Sequence, residues 1–323
     1  MSEYGIYHGK DVLSQAAEVK PIIEQLLWEK DTIVLLGKEK TGKSIFCLQM
    51  ACCLTTGEPL LDTFPICTPR TVLYIQVEGK RYETQQRLKN MMLGTACDLD
   101  RFIHIYYKGM ALDTNEGYDH LNSWVDETCK EIKLKPDVII IDPLYMSIQG
   151  DLSDAKSSQA WIKNVRGFAD HHDAALIVVH HAHRPFRTRE GDVVNEGDDS
   201  IYGSFVWKAF ADHILLLSKK KSNYTLSCST QRSSNVIPTI EFKLLSPSPL
   251  LFVVEDGDAT TRSIAVHNIL MDNPLGLSAE QLITMTNYGR ATIYRSLRVL
   301  QSGGVVQKID KSRPILYQVV RPT

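Results

Sequence analysis

One segment near the start of the chain has the residue types and spacing that bind phosphate, Gly-x-x-x-x-Gly-Lys-Ser from Gly37 to Ser44. It follows the aliphatic run Thr32–Leu36 and precedes a helical pattern. The two glycines let the backbone turn tightly and direct N–H groups at an anion, to which the next helix adds its positive dipole end. We expect Lys43 to contact the β- and γ-phosphates of a nucleotide and the Ser44 hydroxyl to bind Mg²⁺. The alternative is a glycine-containing surface turn.

Two carboxylates stand at the ends of other predicted strands. Glu78 directly follows Thr71–Val77, and Asp142 closes the aliphatic run Val138–Ile141. The carboxyl ends of parallel strands lie at one edge of a sheet, so both side chains are expected near the phosphate-binding loop. Asp142 could hold Mg²⁺ directly or through a water molecule, and Glu78 could activate a water molecule against a γ-phosphate. Alternatively, Glu78 only complements the dipole of the helix that follows it.

A cluster of histidines follows a further predicted strand, Ala174–Val179. The residues His180–Arg184 could form a metal cluster, a phosphate sensor or a solvated turn, and their place at a strand exit favours the sensor. The next stretch, 185–200, contains no helix or strand pattern, so we expect a long loop. Its first half carries Arg187 and Arg189, which suit a nucleic-acid surface, whereas its second half is acidic. A solvated loop is the alternative.

The elements that must position these residues alternate between strand and helix, which predicts an α/β fold with a mostly parallel sheet. Three closely spaced strands follow and must pair antiparallel, so the parallel sheet should end in an antiparallel extension. Apolar spacing within residues 11–30 predicts a short helical segment over 1–30 at one edge of the sheet. The expected strands beyond those above are Phe102–Tyr107, His213–Ser218, Tyr224–Ser229 and Thr239–Leu244, and the expected helices are Ile45–Leu54, Tyr82–Met92, Tyr118–Lys133, Ser158–His171 and Ile201–Ala211.

A second domain is predicted at 259–323, after a nucleotide-binding domain at 1–250. Its pattern is three helices followed by a hairpin, which is typical of a winged helix: Thr261–Met271, Ser278–Met285, Gly289–Ser302, Val305–Lys308 and Ile315–Val319. Residues 259–323 contain eight Lys and Arg against three Asp and Glu, which favours a polyanion as partner. Protein contacts are the alternative use of such a domain. The basic residues that would contact nucleic acid here are Arg290, Arg295, Arg298 and Lys311.

The composition indicates an ordinary globular protein of 323 residues, 43% hydrophobic and 23% charged. Its seven cysteines form no C-x-x-C pair, so we expect free thiols in a reducing compartment rather than a disulfide framework or a zinc site. No apolar run approaches the roughly 20 residues of a membrane span. The residues at the start of the chain lack a signal-peptide pattern. These features predict a cytoplasmic protein without a membrane partner.

Taken in order, these motifs resemble those of RecA-like AAA-family ATPases, over about residues 20–245. The resemblance is greatest to the RepA-type hexameric helicases of plasmids and phages, and more distant to DnaB-type replicative helicases. It implies a RecA-like core that binds ATP and Mg²⁺ at subunit interfaces of a homohexameric ring. It also implies single-stranded DNA bound to the core, with duplex DNA or a protein bound to the winged helix.

The resemblance assigns roles to individual residues. Lys43 and Ser44 would be the Walker A groups, Asp142 the Walker B carboxylate, Glu78 the catalytic base and His181 the γ-phosphate sensor. The nucleotide-binding set would be Gly37, Lys40, Thr41, Gly42, Lys43, Ser44 and Ile45. The family's Gly-Asp loop after Walker B is matched by Gly150-Asp151.

The chain departs from this family where an arginine finger is expected. RepA-like proteins usually have Arg-Gly-Ser where this chain has Tyr202-Gly203-Ser204. Arg232 stands where DnaB-like helicases keep their finger, but the lysine two residues earlier is Thr230 here. Other cations for this role are Lys208 and Arg184.

The expected function is Mg²⁺-dependent ATP hydrolysis coupled to DNA binding or remodelling, as in a replicative helicase or helicase loader of a plasmid, phage or other mobile element. Two alternatives stay open. One is a recombination-mediator or regulatory ATPase that does not unwind DNA, and the other is a transcription regulator whose winged helix is switched by ATP.

Overall fold

The aliphatic runs of the sequence form the middle of a nine-stranded, mostly parallel sheet. The computed structural model describes residues 19–182, 186–187, 193–194, 201, 206–231, 237–254, 258–286, 290–309 and 314–320, and the statements below concern that part of the chain. In sheet order the strands are β13-β12-β11-β10-β3-β7-β6-β4-β5. The six from β10 to β5 pair in parallel, whereas β11, β12 and β13 pair antiparallel.

The strands of this sheet are β3 Thr32–Gly37, β4 Val72–Gln76, β5 Phe102–Tyr106, β6 Val138–Asp142, β7 Ala175–His181, β10 His213–Lys220, β11 Asn223–Gln231, β12 Ile240–Leu245 and β13 Leu251–Val253. The helices around it are α1 Lys43–Thr56, α2 Arg81–Met91, α3 Asn115–Ile132, α4 Ala155–His172 and α5 Val206–Phe210. Two short 3₁₀ turns lie at Leu99–Arg101 and Leu144–Ser147.

The central strands are apolar on both faces because helices cover both faces. In β3, Ile33 and Leu35 face a core shared with α1 and the antiparallel strands, whereas Val34 and Leu36 face a second core shared with α3 and α4. Every residue of β3, β4 and β6 is buried. When helices cover both faces of a parallel sheet, the ends of its strands remain exposed, and polar side chains can meet there.

Polar residues fix where the covering helices begin. The Thr114 hydroxyl accepts a hydrogen bond from the Gly117 N–H at 3.1 Å at the start of α3. The Asp154 carboxylate accepts one from the Ser157 N–H at 2.8 Å at the start of α4. Both satisfy amide groups that the first helical turn leaves unpaired. The predicted helix starts at Tyr118 and Ser158 were therefore three residues late.

The last strand of the sheet, β13, lies beyond the predicted domain end at residue 250. It is held by the side chain of Gln49 in α1, which donates to the Phe252 carbonyl at 2.8 Å and accepts from the Phe252 N–H at 2.8 Å. Gln49 and Phe252 are both buried. The amide side chain thus acts as a neighbouring strand would, and the sheet extends to Val253.

The predicted N-terminal helical segment is wrong for the described residues of that segment. Pro21–Ile23 (β1) and Leu27–Trp28 (β2) form an antiparallel pair, joined by a turn in which Gln25 has a φ of 65°. Ile22, Ile23, Leu26 and Leu27 are buried in the hairpin. Their spacing fits a helix face equally well, and short apolar runs do not distinguish the two.

Two other expectations also need correction. Of the described residues within the predicted helix Ile201–Ala211, Val206–Phe210 are helical, whereas Ile201 forms an isolated bridge with Ala182. The loop predicted at 185–200 contains a short antiparallel pair, β8 Phe186–Arg187 with β9 Val193–Val194. A strand of two residues is too short to leave an alternating pattern in the sequence, so this pair could not be predicted.

The described residues of the C-terminal part form three helices and a three-stranded antiparallel sheet with a core of its own. The helices are α6 Asp258–Asp272, α7 Ala279–Thr286 and α8 Arg290–Ser302, and the strands are β14 Leu277–Ser278, β15 Val306–Ile309 and β16 Leu316–Val319. The core includes Val266, Leu270, Leu282, Ile293, Leu297 and Tyr317. The helices and the hairpin form where the sequence predicted them, and β14 is an addition. Among the described residues, no helix is long and apolar enough to cross a membrane.

Candidate active site

The register of the parallel strands brings the predicted site residues to one edge of the sheet. Gly37, the last residue of β3, pairs with His181, the last residue of β7. Gln76, the last residue of β4, pairs with Asp142, the last residue of β6. Glu78 follows β4 two residues later. The ends of these strands, the loop after β3 and the start of α1 therefore meet at one edge of the sheet.

The loop between β3 and α1 requires glycine at both ends. A Cβ on Gly37 would lie 2.6 Å from the Leu217 carbonyl oxygen of β10. Gly42 has a φ of 86°, and a Cβ there would lie 2.9 Å from the ring of Phe252. Between them the Thr41 hydroxyl donates to the Lys38 carbonyl at 2.8 Å. The loop is thus held close to β10 and β13, with Gly42 preceding the first turn of α1.

Lys43 is folded back into this loop. Its Nζ donates to the carbonyls of Gly37 at 2.7 Å and Lys38 at 2.8 Å, and lies 3.4 Å from Nδ1 of His181. Burial lowers the pKa of Lys43 to about 8, and the negative charge of Asp142 opposes that shift. A buried ammonium held by carbonyl oxygens would gain strongly from a phosphate group.

Asp142 is a buried carboxylate that accepts hydrogen bonds from two hydroxyls. The donors are Tyr74 of β4 and Ser44 in the first turn of α1. Burial raises the pKa of Asp142, and the bonds from Tyr74 and Ser44 and the charge of Lys43 oppose the rise. Ser44 and Asp142 thus place two oxygen donors side by side. Mg²⁺ prefers oxygen ligands, so the pair fits this ion.

Glu78 is exposed at the end of β4 and is contacted by a tyrosine from the turn after β6. The Tyr145 hydroxyl donates to the Glu78 carboxylate, and burial together with this bond raises the pKa of Tyr145. The Tyr145 ring also packs against His181, with ring centroids 4.8 Å apart. Burial and the charge of Lys43 lower the pKa of His181, which favours the neutral imidazole.

These side chains surround a cavity of about 540 Å³. A volume of this size is in the range of small-molecule sites. Its walls include the predicted residues Lys40, Gly42, Lys43, Ser44, Ile45, Glu78, Asp142 and His181. Gly37 and Thr41 lie in the loop behind this wall. The phosphate-binding loop, the oxygens of Ser44 and Asp142 and the exposed carboxylate of Glu78 therefore line one opening.

Sequence reasoning missed two residues that line the cavity, Arg87 and Tyr145. Arg87 lies on α2 between the buried residues Thr84 and Met91, and this spacing of three and four residues could have shown that it faces the sheet. Tyr145 follows Asp142 by three residues within a 3₁₀ turn. Nothing in the local sequence distinguishes it from an ordinary surface tyrosine.

The predicted trans-acting and nucleic-acid-binding cations are only partly described. Arg298 is exposed on α8. Arg187 lies in β8, and Arg290 and Arg295 lie in α8, without a description of their side chains. Lys208 lies in α5. Arg184, Arg189, Tyr202–Ser204, Arg232 and Lys311 lie outside the described residues.

Comparison with known proteins gives a family and a fold. A family model for the AAA domain matches residues 9–185. No protein with a curated description matches the sequence. Among solved structures, an isolated ATPase domain of another protein has a TM-score of 0.52 at 12% identity, over 76% of this chain and 95% of that domain.

Two further solved structures have lower scores. A DnaB-like replicative helicase, solved with its interactions with primase, has a TM-score of 0.48 at 14% identity, over 69% of this chain and 58% of the helicase. The KaiC-like protein PH0186 from Pyrococcus horikoshii has a TM-score of 0.48 at 14% identity, over 72% of this chain and 93% of that protein.

The core has a RecA-like P-loop NTPase fold, as the strand order, the loop geometry and the likeness to the solved ATPase domain agree. The family model covers more than half of the chain and includes the loop, both carboxylates and His181. The chain therefore belongs to the AAA domain family.

Proposed function

We propose that the protein hydrolyses ATP in a Mg²⁺-dependent reaction and uses the cycle to bind or remodel DNA. The proposal of hydrolysis rests on one observation: Lys43, the Ser44–Asp142 pair and Glu78 lie around one cavity. A site that only bound phosphate would need the loop and the lysine, but not an exposed carboxylate opposite them.

The loop residues would hold the triphosphate. Backbone N–H groups from Gly37 to Ser44 and the start of α1 favour an anion. Lys43 would exchange its carbonyl partners for phosphate oxygens, which offer a stronger, charge-assisted bond. Lys40 and Ile45, which line the cavity on either side of Gly42–Ser44, would complete the cradle.

Ser44 and Asp142 would hold Mg²⁺, which when bound neutralises charge on the phosphates. The two side chains already lie in hydrogen-bond contact, and the carboxylate is buried. A buried carboxylate is costly without a cation beside it, so the pair is suited to an ion.

Glu78 would accept a proton from the attacking water. Its carboxylate is exposed to the cavity and is oriented by the Tyr145 hydroxyl. His181, which contacts both Tyr145 and Lys43, would sense the γ-phosphate and pass that state to the chain after β7. Arg87 adds a positive charge from the α2 side of the cavity.

We further propose that the protein acts as a homohexameric ring of the RepA type, as a replicative helicase or helicase loader of a plasmid, phage or other mobile element. A neighbouring subunit would supply Arg232 to the developing charge. The domain at 259–323 would be a winged helix, supported by its helix order, its hairpin and the exposed Arg298 on α8. Arg187, Arg189, Arg290, Arg295 and Lys311 would join Arg298 in contacting DNA, single-stranded at the core and duplex at the winged helix.

The test is ATP hydrolysis by the full chain and by Glu78→Gln, each with and without single-stranded DNA, together with the mass in solution. We expect turnover that DNA stimulates, in a large ring, and at least a hundredfold loss of kcat in Glu78→Gln with nucleotide binding retained. A matched control is Glu116→Gln, which changes an exposed glutamate at the start of α3. Glu78→Gln turnover equal to that of the wild type would contradict the mechanism. Slow turnover that ignores DNA would favour a nucleotide-gated regulator, and duplex binding switched by ATP would favour the transcription regulator.

A further inference from the structure

Three potential metal ligands meet where two helices pack together, at the edge of the sheet opposite the cavity. Asp126 lies in α3, and His171 and His172 form the last turn of α4. Each offers one ligand atom, and the three atoms lie within 4.8 Å of one another. This position precedes β7, whereas the cavity lies after it, about 20 Å away at the usual rise of a strand.

The first two ligands already have the spacing of a metal site. Nε2 of His171 lies 3.1 Å and 3.2 Å from the two carboxylate oxygens of Asp126. Two ligands each about 2.0–2.1 Å from a tetrahedral zinc ion lie roughly 3.3 Å apart. Both side chains are partly exposed, at 40% for Asp126 and 51% for His171, so an ion can reach them.

An ion pair between Asp126 and His171 does not explain why a nitrogen of His172 is buried without a partner. The residue is 5% exposed, and its Nε2 is buried without a hydrogen-bond partner among the described residues. Its ring lies against His171 at 4.8 Å and Phe168 at 4.9 Å between centroids. Leaving such a nitrogen unpaired costs about 1–3 kcal/mol. A metal ion bound at Nε2 would give this nitrogen a partner.

The charges around the three side chains act on a bound cation in both directions. The C-terminal end of a helix carries a partial negative charge, and α4 ends here. Lys135 also lies near and opposes a cation. Cys129 is one turn further along α3, and its thiol is not in the group of ligand atoms that lie within 4.8 Å of one another.

We propose that Asp126, His171 and His172 bind a Zn²⁺ ion that joins α3 to α4. Two imidazoles and one carboxylate form a donor set suited to zinc, with water in the fourth position, whereas Mg²⁺ and Ca²⁺ take oxygen ligands. The site is separate from the hydrolytic cavity and does not depend on the proposed function. Its effect would be structural, since the ligands come from two packed helices.

The test is zinc binding by the full chain, freed of metal with a chelator and then titrated with ZnCl₂ by calorimetry. Excess Mg²⁺ in the buffer competes for oxygen-ligand sites such as the Ser44–Asp142 pair during the titration. We expect one tight site in the wild type, and at least a tenfold increase in Kd in both Asp126→Asn and His171→Gln. Both changes affect partly exposed residues, so folding should survive.

Controls on the same helix are Asp119→Asn and His120→Gln, which remove exposed side chains of the same types. They should bind zinc as the wild type does. Any zinc binding by the exposed Cys67 would be the same in the wild type and in every variant, so it would cancel in the comparison.

A second readout separates ligation from general stability. Co²⁺ bound to four ligands absorbs visible light, and this band should appear with the wild type and the two controls but not with Asp126→Asn or His171→Gln. Zn²⁺ should also raise the Tm of the wild type and of neither ligand variant. Equal zinc affinity in the wild type and both ligand variants, or absence of binding to the wild type, would overturn the proposal.

Discussion

Tyr145 links two groups of the candidate site that come from different strands. Its hydroxyl donates to the Glu78 carboxylate after β4, and its ring packs on His181 at the end of β7. The side chain follows Asp142 by three residues, so it is anchored to β6 as well. A proposed base that is exposed to solvent has many rotamers, and one hydrogen bond from a fixed donor restricts them.

Replacing Tyr145 with phenylalanine should therefore lower kcat about three- to tenfold without changing KM. The ring and its contact with His181 stay, and only the bond to the carboxylate is lost. Hydrogen bonds to charged groups contribute about 1.5–3 kcal/mol, and water will replace part of this one because Glu78 is exposed. Steady-state ATP hydrolysis measures the effect. The matched control is Tyr82→Phe, a 60% exposed tyrosine on α2, which should leave kcat unchanged. An unchanged kcat in Tyr145→Phe would show that Glu78 does not need this donor.

Nucleotide affinity should depend on the charge of Lys43. Burial lowers its pKa to about 8, so the free protein loses this ammonium as pH rises through 8. A polyphosphate binds the charged form, and affinity should therefore be about tenfold weaker at pH 9 than at pH 7. Titration with a fluorescent ATP analogue at the two pH values measures it. In Lys43→Arg, whose guanidinium does not titrate in this range, binding should be weaker but independent of pH. Equal wild-type affinity at both pH values would contradict the assignment.

At the scale of elements, prediction from sequence succeeded where a pattern is local. β3, the loop and α1 follow from an aliphatic run and the spacing of Gly37, Gly42 and Lys43, and β6 and β7 follow from their unbroken aliphatic residues. The hairpin at β1 and β2 was predicted as helix because its buried residues also fit a helical face. β13 has only three residues and depends on Gln49, some 200 positions away in sequence, so no local signal encodes it. Likewise, only the fold brings Tyr145 to the cavity, and no local signal predicts that position.

The bond between α1 and β13 gives a prediction for this scale. In Gln49→Leu, the N–H and C=O of Phe252 would lose both partners while staying buried. Each unpaired buried group costs about 1–3 kcal/mol, so the free energy of unfolding should fall by roughly 3 kcal/mol. Urea unfolding of the full chain measures the change. The control Gln86→Leu removes an exposed glutamine that bonds only Asn90 among the described contacts, and should change stability by less than about 0.5 kcal/mol. A similar small change in Gln49→Leu would mean that β13 does not rely on this clamp.

At the scale of the whole molecule, one buried contact joins the N-terminal hairpin to the sheet. The Asp31 carboxylate accepts a hydrogen bond from the Trp28 N–H at 3.0 Å and lies 3.2 Å from Nε2 of His213, the first residue of β10. His213 is 2% exposed, and its ring lies 5.8 Å from that of Trp28. The hairpin, β3 and β10 thus meet at the amino edge of the sheet, opposite the cavity.

This contact should make stability depend on pH. Burial lowers the pKa of His213, but the hydrogen bond with Asp31 and the negative charge of Asp31 outweigh it, so the pKa rises to about 9 from an ordinary 6.5. The folded state therefore binds more protons than the unfolded state between these values. The stabilisation is complete below pH 6.5 and is lost as pH rises through 9.

Between pH 6.5 and 8 the free energy of unfolding should consequently fall by about 2 kcal/mol, as urea unfolding at the two pH values would measure. Lys43 acts in the opposite direction above pH 8, because its folded pKa of about 8 lies below the ordinary value of 10.5. Ending the comparison at pH 8 and subtracting the profile of His213→Gln, which keeps Lys43 but has no titrating imidazole, isolates the contribution of His213. If the wild type and His213→Gln show the same pH dependence, then Asp31 does not hold a charged imidazole in the fold, and the junction of hairpin and sheet does not depend on this ion pair.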